Sequence, residues 1–187
     1  MPTTQALLII DMQQALCEGD GAAYDTPGVI ARINTVSARA RAAGVPVIWV
    51  QHEGSGGYLA HGTPGWQLAT GLQVNEATDL RVRKTTPDSF LRTPLADLLA
   101  QHAITELVVC GMHTEFCVDT TTRRALALGY PVVLVADAHT SAGNAHLTPQ
   151  QVVAHHNATL CNISSFGPRV RAVVTNEINL HQKNSNK

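Results

Sequence analysis

Short apolar runs that alternate with stretches of helical periodicity constrain the fold of this chain more than any other feature. Runs such as Val132–Val135 are apolar at every position, which is typical of a strand covered on both faces of its sheet. The predicted strands lie near 6–10, 46–51, 80–83, 106–110, 131–135 and 159–163, and the predicted helices near 28–43, 88–101, 115–128 and 148–156. Alternation at this spacing predicts an α/β fold, a doubly wound sheet of mostly parallel strands between two helical layers.

Length and charge indicate one globular domain. A chain of 187 residues, 44% of them hydrophobic, is long enough to bury a single core. We place that domain at 1–187, with a polar tail at 176–187. A formal net charge of −1 at pH 7 gives no sign of nucleic-acid binding, so we expect no nucleic-acid partner.

Targeting signals and cysteine usage bear on localisation. The sequence contains no apolar run of 18 residues, and its first residues, Met1–Gln5, carry no basic side chain. The cysteines form no CxxC motif and no regular disulfide spacing, which favours free thiols; they are Cys17, Cys110, Cys117 and Cys161. We therefore expect a cytoplasmic protein that binds no membrane.

Three reactive side chains follow three of the predicted strands. Asp11 ends the first apolar run, Lys84 ends the third strand, and Cys117 lies a few residues after the fourth. Open parallel sheets build their sites at the carboxyl ends of the strands, so these side chains could share one site. Taken singly, each residue has an ordinary structural reading: Asp11 as a turn or helix cap, and Lys84 as a solvated charge.

Cys117 stands close to the predicted start of a helix. A helix N-terminus lowers the pKa of a thiol and offers N–H groups to an oxyanion, so Cys117 is predicted to be a nucleophile with a lowered pKa. The alternative is a small buried cysteine that packs the helix against the sheet. Gln13, two residues after Asp11, could orient Asp11 or a substrate, or cap the following turn.

Three motifs, in order, resemble those of the isochorismatase-like cysteine hydrolases. They are Ile9-Ile10-Asp11-Met12-Gln13, the segment Lys84–Phe90 that closes on Ser89-Phe90, and Gly111–Val118. The second motif is one residue longer than in some members of that family. The resemblance covers roughly residues 5–174 and implies six strands in the order 3-2-1-4-5-6.

The resemblance also implies a reaction and an assembly. Cys117 would attack a carbonyl carbon and form a thioester, Asp11 would carry the proton, and Lys84 would supply positive charge. The oxyanion would lie against the backbone N–H groups of His113 and Cys117, beside a cis peptide between Met112 and His113. No cofactor is implied, the partner is a small-molecule substrate, and the chain would form a homodimer or homotetramer.

A metal is not expected. Nicotinamidases of the same superfamily bind zinc through an Asp-x-His and a later histidine, and the corresponding loop here reads Gln51-His52-Glu53. His52 and His61 could coordinate an ion, but neither has a carboxylate at ligand spacing in the sequence.

The residues on or beside the predicted carboxyl-end loops are candidates for the substrate pocket: Gln13, Tyr24, His52, Tyr58, Trp66 and Phe116. The segment from Gly111 to Thr121 and the later Ala154–Asn157 are most similar to the streptothricin hydrolase group, which opens a lactam. The predicted function is cleavage of a C–N bond in a small amide or lactam. Two alternatives are a zinc-assisted amidase resembling nicotinamidase and a non-catalytic member that acts as a binding scaffold.

Overall fold

A computed structural model describes residues 3–19 and 21–181, and its centre is a six-stranded sheet. All pairings are parallel and the strand order is 3-2-1-4-5-6, which confirms the predicted topology. The strands are β1 (Gln5–Ile10), β2 (Val47–His52), β3 (Leu80–Lys84), β4 (Glu106–Met112), β5 (Val132–Thr140) and β6 (Val170–Val173). Because β1 and β4 are adjacent at the point where the strand order reverses, their carboxyl ends form the crevice in which such sheets bind ligands.

Helices cover both faces of the sheet. The α-helices are α1 (Gln14–Cys17), α2 (Thr26–Ala42), α3 (Leu95–Gln101), α4 (Asp119–Ala127) and α5 (Pro149–Asn162). Short 3₁₀ turns lie at Gly57–Leu59, Pro64–Trp66 and Thr175–Glu177, and a π-helical turn at Thr114–Val118 precedes α4. One core packs α2 against the sheet, and the other core packs α3, α4 and α5 against its opposite face. The two cores explain why the central strands are apolar at every position.

The prediction of a sixth strand at 159–163 is wrong. Those residues belong to the end of α5 and the residue that follows it, while β6 lies further along the chain. Thr148 and Gln151 form a reciprocal capping box that starts α5, and Val152 and Leu160, eight residues apart, both point into the core. Five residues are too few to distinguish a helical period from that of a strand, which is why the sequence predicts a strand here. The helix predicted over 88–101 likewise begins only at Leu95.

Gly111 brings β4 close to β1 next to the crevice. Its φ is +115°, and a Cβ at this position would collide with the backbone of Ile10. Gly111 pairs directly with Ile10 in the parallel ladder, one residue before Asp11. Only glycine accommodates both the left-handed backbone and this contact, so the approach depends on the absence of a side chain.

The predicted polar tail at 176–187 lies only partly within the described residues. Its first residues form the end of the Thr175–Glu177 turn, and Ile178 is buried against the α2 core. Residues 182–187 lie outside the part of the chain that the structure describes. Within the described residues, the helices are all too short or too polar to cross a membrane.

Candidate active site

Asp11, Lys84 and Cys117 meet at the carboxyl edge of the sheet. Lys84 Nζ lies 2.7 Å from Asp11 Oδ2 and 3.1 Å from Cys117 Sγ. The side chains of Lys84 and Asp11 are 0% and 2% exposed, and Cys117 is 9% exposed. Three side chains from different strand ends therefore form one buried polar cluster.

Lys84 reaches this cluster from the edge strand β3. In the ladder it pairs with His52 at the end of β2, and its ammonium reaches Asp11, which follows β1 on the other side of β2. Besides Asp11 and Cys117, the ammonium contacts Thr86 O at 3.1 Å and His52 Nδ1 at 3.3 Å. An ammonium carries three N–H donors and no acceptor, so it can donate to at most three of these four atoms at one time.

Asp11 has a left-handed backbone, with φ of +53°. Its N–H donates to Val50 O at 2.8 Å, which ties the end of β1 to β2. Oδ2 accepts from Lys84, whereas Oδ1 is buried and has no hydrogen-bond partner among the described residues. A buried carboxylate oxygen without a partner is free to accept a proton from a neighbouring group.

Burial raises the pKa of the Cys117 thiol to about 12, with a further increase from the negative charge of Asp11. The Lys84 ammonium acts in the opposite direction and offsets only part of this increase. The prediction of a lowered thiol pKa is therefore wrong, because the desolvation of the sulfur outweighs the positive charge beside it. The free protein holds a neutral thiol beside a carboxylate and an ammonium.

The turn that carries Cys117 follows β4 directly. The Met112–His113 peptide bond is cis, and the N–H groups of Phe116 and Val118 both donate to His113 O. Burial lowers the pKa of His113, although the charges of Glu115 and Asp11 act in the opposite direction. The imidazole of His113, which precedes the turn that carries Cys117, is therefore uncharged at neutral pH.

Asp11, Lys84 and Cys117 each belong to one of the three sequence motifs described above, and the same motifs lie within a known protein family's domain. The family model described as the isochorismatase domain matches residues 5–165. The chain belongs to the isochorismatase family. Within it, the chain is 43% identical over 136 residues to a streptothricin hydrolase from Streptomyces noursei, an alignment that covers 72% of this chain and 54% of that protein. The chain thus spans about half the length of the curated relatives that it matches first.

Two further isochorismatase-family comparisons cover more of the length. A ureidoacrylate amidohydrolase RutB from Methylobacterium radiotolerans is 30% identical over 201 residues, which cover 88% of this chain and 75% of that protein. The crystal structure of an isochorismatase family protein superposes with a TM-score of 0.81 at 36% identity, covering 90% of this chain and 98% of the other. Both extend the likeness beyond the segment shared with streptothricin hydrolase.

Of the six pocket candidates, the structure brings His52 to the cluster. Gln13 is fully buried, and its amide is bound to backbone groups: Oε1 accepts from His52 N at 2.7 Å, and Nε2 donates to His52 O at 3.0 Å and to Trp66 O at 2.9 Å. Gln13 thus clamps the end of β2 and the turn at Trp66. Its nearest described contacts make it a scaffold for His52.

The other four candidates differ in where they lie. Trp66 is half-buried and packs edge-on against His61, while Tyr58 and Phe116 are exposed on the surface. Tyr24 lines a separate cavity of about 360 Å³ between α2 and α5. The described contacts do not bring these four side chains to Asp11, Lys84 or Cys117.

Among the described residues, one group of three side chains could hold a metal ion: Asp11, His52 and Cys117. One ligand atom from each lies within 4.8 Å of the other two, so a carboxylate does stand near His52, contrary to the sequence-based expectation. The Lys84 ammonium contacts all three side chains, and a divalent ion among them would lie against that positive charge. His61 is not part of this group; its Nε2 lies 2.8 Å from Arg83.

His139 is not among the residues that the sequence predicts for the site. Its side chain is buried in β5 and hydrogen-bonds Thr114, the first residue of the turn that carries Cys117. The available signal was a lone histidine near the end of a strand that begins with four apolar residues. That signal is weak, because it does not say which element the imidazole faces.

Proposed function

We propose that this chain is a cysteine amidohydrolase that cleaves a C–N bond of a small amide or lactam through a Cys117 thioester. The observation that carries the proposal is the contact of one buried ammonium, Lys84 Nζ, with both a carboxylate and a thiol. A carboxylate alone or a cysteine alone is common in a sheet crevice. A proton acceptor, a nucleophile and a fixed positive charge within contact distance form a catalytic set.

The raised thiol pKa determines how the reaction begins. Because Cys117 is protonated in the free protein, the nucleophile forms by transfer of the S–H proton to Asp11 as Sγ attacks the carbonyl carbon. The C–S bond forms, and the carbonyl π electrons move to oxygen. Throughout this step, Lys84 keeps a positive charge beside the sulfur and the carboxyl group.

The tetrahedral intermediate then collapses. The backbone N–H groups of His113 and Cys117 are the proposed donors to the oxyanion. The C–N bond breaks as Asp11 returns the proton to the leaving nitrogen, which departs as an amine or ammonia and leaves the Cys117 thioester. Water attacks the thioester, Asp11 accepts a proton from that water, and the C–S bond breaks. The proton returns to sulfur, which restores the thiol and releases a carboxylic acid.

The named relatives support the reaction class. One is called a streptothricin hydrolase and another a ureidoacrylate amidohydrolase. The four free cysteines, of which Cys17, Cys110 and Cys117 are buried, further support a reducing, cytoplasmic setting for a thiol enzyme.

One observation favours a second candidate, a zinc-assisted amidase. Asp11, His52 and Cys117 present oxygen, nitrogen and sulfur ligand atoms within 4.8 Å of one another. This candidate predicts activity that a chelator abolishes and that zinc restores. The cysteine mechanism predicts activity that neither a chelator nor added zinc changes.

The experiment is a mass-spectrometric turnover screen of the native chain, Cys117→Ala and the matched control Cys161→Ala. Cys161 is a half-buried thiol on α5, outside the cluster. The panel holds primary amides, lactams, N-carbamoyl amines and isochorismate. Turnover by the native chain and Cys161→Ala, but not by Cys117→Ala, is expected. Equal turnover by all three proteins would overturn the thioester mechanism.

A further inference from the structure

A line of hydrogen bonds connects the turn that carries Cys117 to β5 and α5. Thr114 Oγ1 lies 2.8 Å from His139 Nδ1, and His139 Nε2 lies 3.0 Å from Asn157 Oδ1. Asn157 Nδ2 donates to Ala136 O at 3.0 Å, which closes the line on β5. The proposed mechanism uses none of these three side chains.

The direction of each bond follows from the last one. Ala136 O can only accept, so the amide nitrogen of Asn157 faces it and the amide oxygen faces His139. That oxygen can only accept, and therefore His139 Nε2 carries the proton. Burial lowers the pKa of His139 to about 4, so the ring is neutral and Nδ1 accepts from the Thr114 hydroxyl. One tautomer satisfies the whole line.

The Thr114–His139 end of the line is buried. Thr114 is fully buried and His139 is 2% exposed. β6 pairs with β5 only as far as Val135, so the β5 segment that contains His139 has no strand on its outer side, and the side chain of Asn157 reaches its backbone instead. A buried hydroxyl without its partner bears the full cost of desolvation, which makes the Thr114–His139 bond a strong constraint on the turn.

We propose that Thr114 and His139 are positioning residues that hold the Thr114–Val118 turn so that Cys117 Sγ stays in contact with Lys84 Nζ. Neither side chain touches the reacting atoms; each acts through the backbone of the turn. The inference rests on the proposed function, because it assigns these residues to the orientation of its nucleophile. Misplacement of a reacting group by about 1 Å can lower the reaction rate about 100-fold.

The test compares Thr114→Val, which removes the hydroxyl at nearly constant shape, with Thr114→Ser, which keeps it. A second pair is His139→Leu and the double variant Thr114→Val/His139→Leu. Two quantities are measured: kcat and KM on the amide that the native chain hydrolyses, and hydrogen–deuterium exchange of the amides in 114–118. Exchange in β1 serves as the internal control.

For Thr114→Val we expect kcat to fall about 10- to 100-fold with KM within about twofold of native. Exchange in 114–118 should rise about tenfold, without a change in β1. Thr114→Ser should restore both values, and the double variant should be no worse than His139→Leu. Native kcat in Thr114→Val would overturn the proposal, whether or not exchange changes. If the native chain hydrolyses no amide in the panel, the proposed function fails, and exchange in the turn alone then decides this inference.

Discussion

Lys84 and Asp11, 73 positions apart in the chain, form a 2.7 Å ion pair whose side chains are 0% and 2% exposed. A buried charge that loses its partner is far less stable than a buried pair. The pair therefore ties the stability of the fold to the same groups that the proposed reaction uses.

Lys84→Met and Asp11→Asn should each lower the free energy of unfolding by about 3–5 kcal/mol, because each leaves one buried charge uncompensated. The double variant should recover much of this loss, since it leaves no charge. Urea unfolding followed by circular dichroism measures all three. Glu76→Gln, which breaks the exposed pair with Arg81, is the matched control and should cost less than about 1 kcal/mol. A double variant as unstable as the sum of the singles would contradict the prediction.

The pKa of about 12 predicts slow alkylation of Cys117 at neutral pH. The second-order rate constant with iodoacetamide should rise about tenfold per pH unit from pH 7 to 9, because only the thiolate reacts. Asp11 raises and Lys84 lowers the pKa of this thiol. At pH 8, Asp11→Asn should therefore react faster than native, and Lys84→Met more slowly.

The alkylation is measured by mass spectrometry in a Cys161→Ala background, which removes the half-buried thiol of α5. A rate constant that is already flat between pH 7 and 9 would show that Cys117 is a thiolate in the free protein. The proton transfer to Asp11 would then be unnecessary.

His139 should make stability depend on pH. Its pKa is about 4 in the folded chain, against an ordinary value of 6.5, so the unfolded chain binds the proton first as the pH falls. The stability that neutral His139 contributes is therefore fully present above about pH 6.5 and is lost as the pH falls toward 4. Its size is about 3 kcal/mol, at about 1.4 kcal/mol per pKa unit.

Urea unfolding at pH 7.5 and pH 4.5 checks this prediction. The native chain should lose about 2–3 kcal/mol more between the two pH values than His139→Gln does. His102→Gln, which changes an exposed histidine after α3, should behave like native. An equal loss in native and His139→Gln would remove His139 from the acid sensitivity of the fold.

The clamp that Gln13 forms on the end of β2 and the turn at Trp66 can be tested by substitution. Gln13→Glu would place a carboxylate oxygen against the carbonyls of His52 and Trp66, where Nε2 now donates. We expect a loss of about 1–3 kcal/mol of unfolding free energy, the cost of leaving buried acceptors unpaired. Gln101→Glu, at the exposed end of α3, is the control and should be neutral within about 0.5 kcal/mol. Equal stability of the two variants would show that the clamp is dispensable.

Much of the fold was readable from local patterns. Apolar positions predicted six parallel strands, and five of the six lie where they were expected. The exception, 159–163, shows the limit: Leu160 is buried at the end of a core-facing helix, and five residues are too few to distinguish a helical period from that of a strand.

For the candidate site too, some features could be predicted from local sequence and others could not. The residue types and their places after strands pointed to Asp11, Lys84 and Cys117, and the structure brings these three side chains together. The pKa of Cys117 was predicted in the wrong direction, because a helix start is a local feature whereas desolvation comes from everything packed around the sulfur. Gln13 was considered for the pocket, yet its amide is used by the backbone of His52.

The sequence by itself determined the layered α/β architecture and the chemical types of the reactive groups, because strand burial and residue identity are written along the chain. Only the tertiary structure decided that one ammonium contacts both the carboxylate and the thiol, and that Thr114 is tied to His139. Those contacts join residues that are tens of positions apart. They exist because parallel strands align their carboxyl ends at one edge of the sheet, and no local pattern records the distances across that edge.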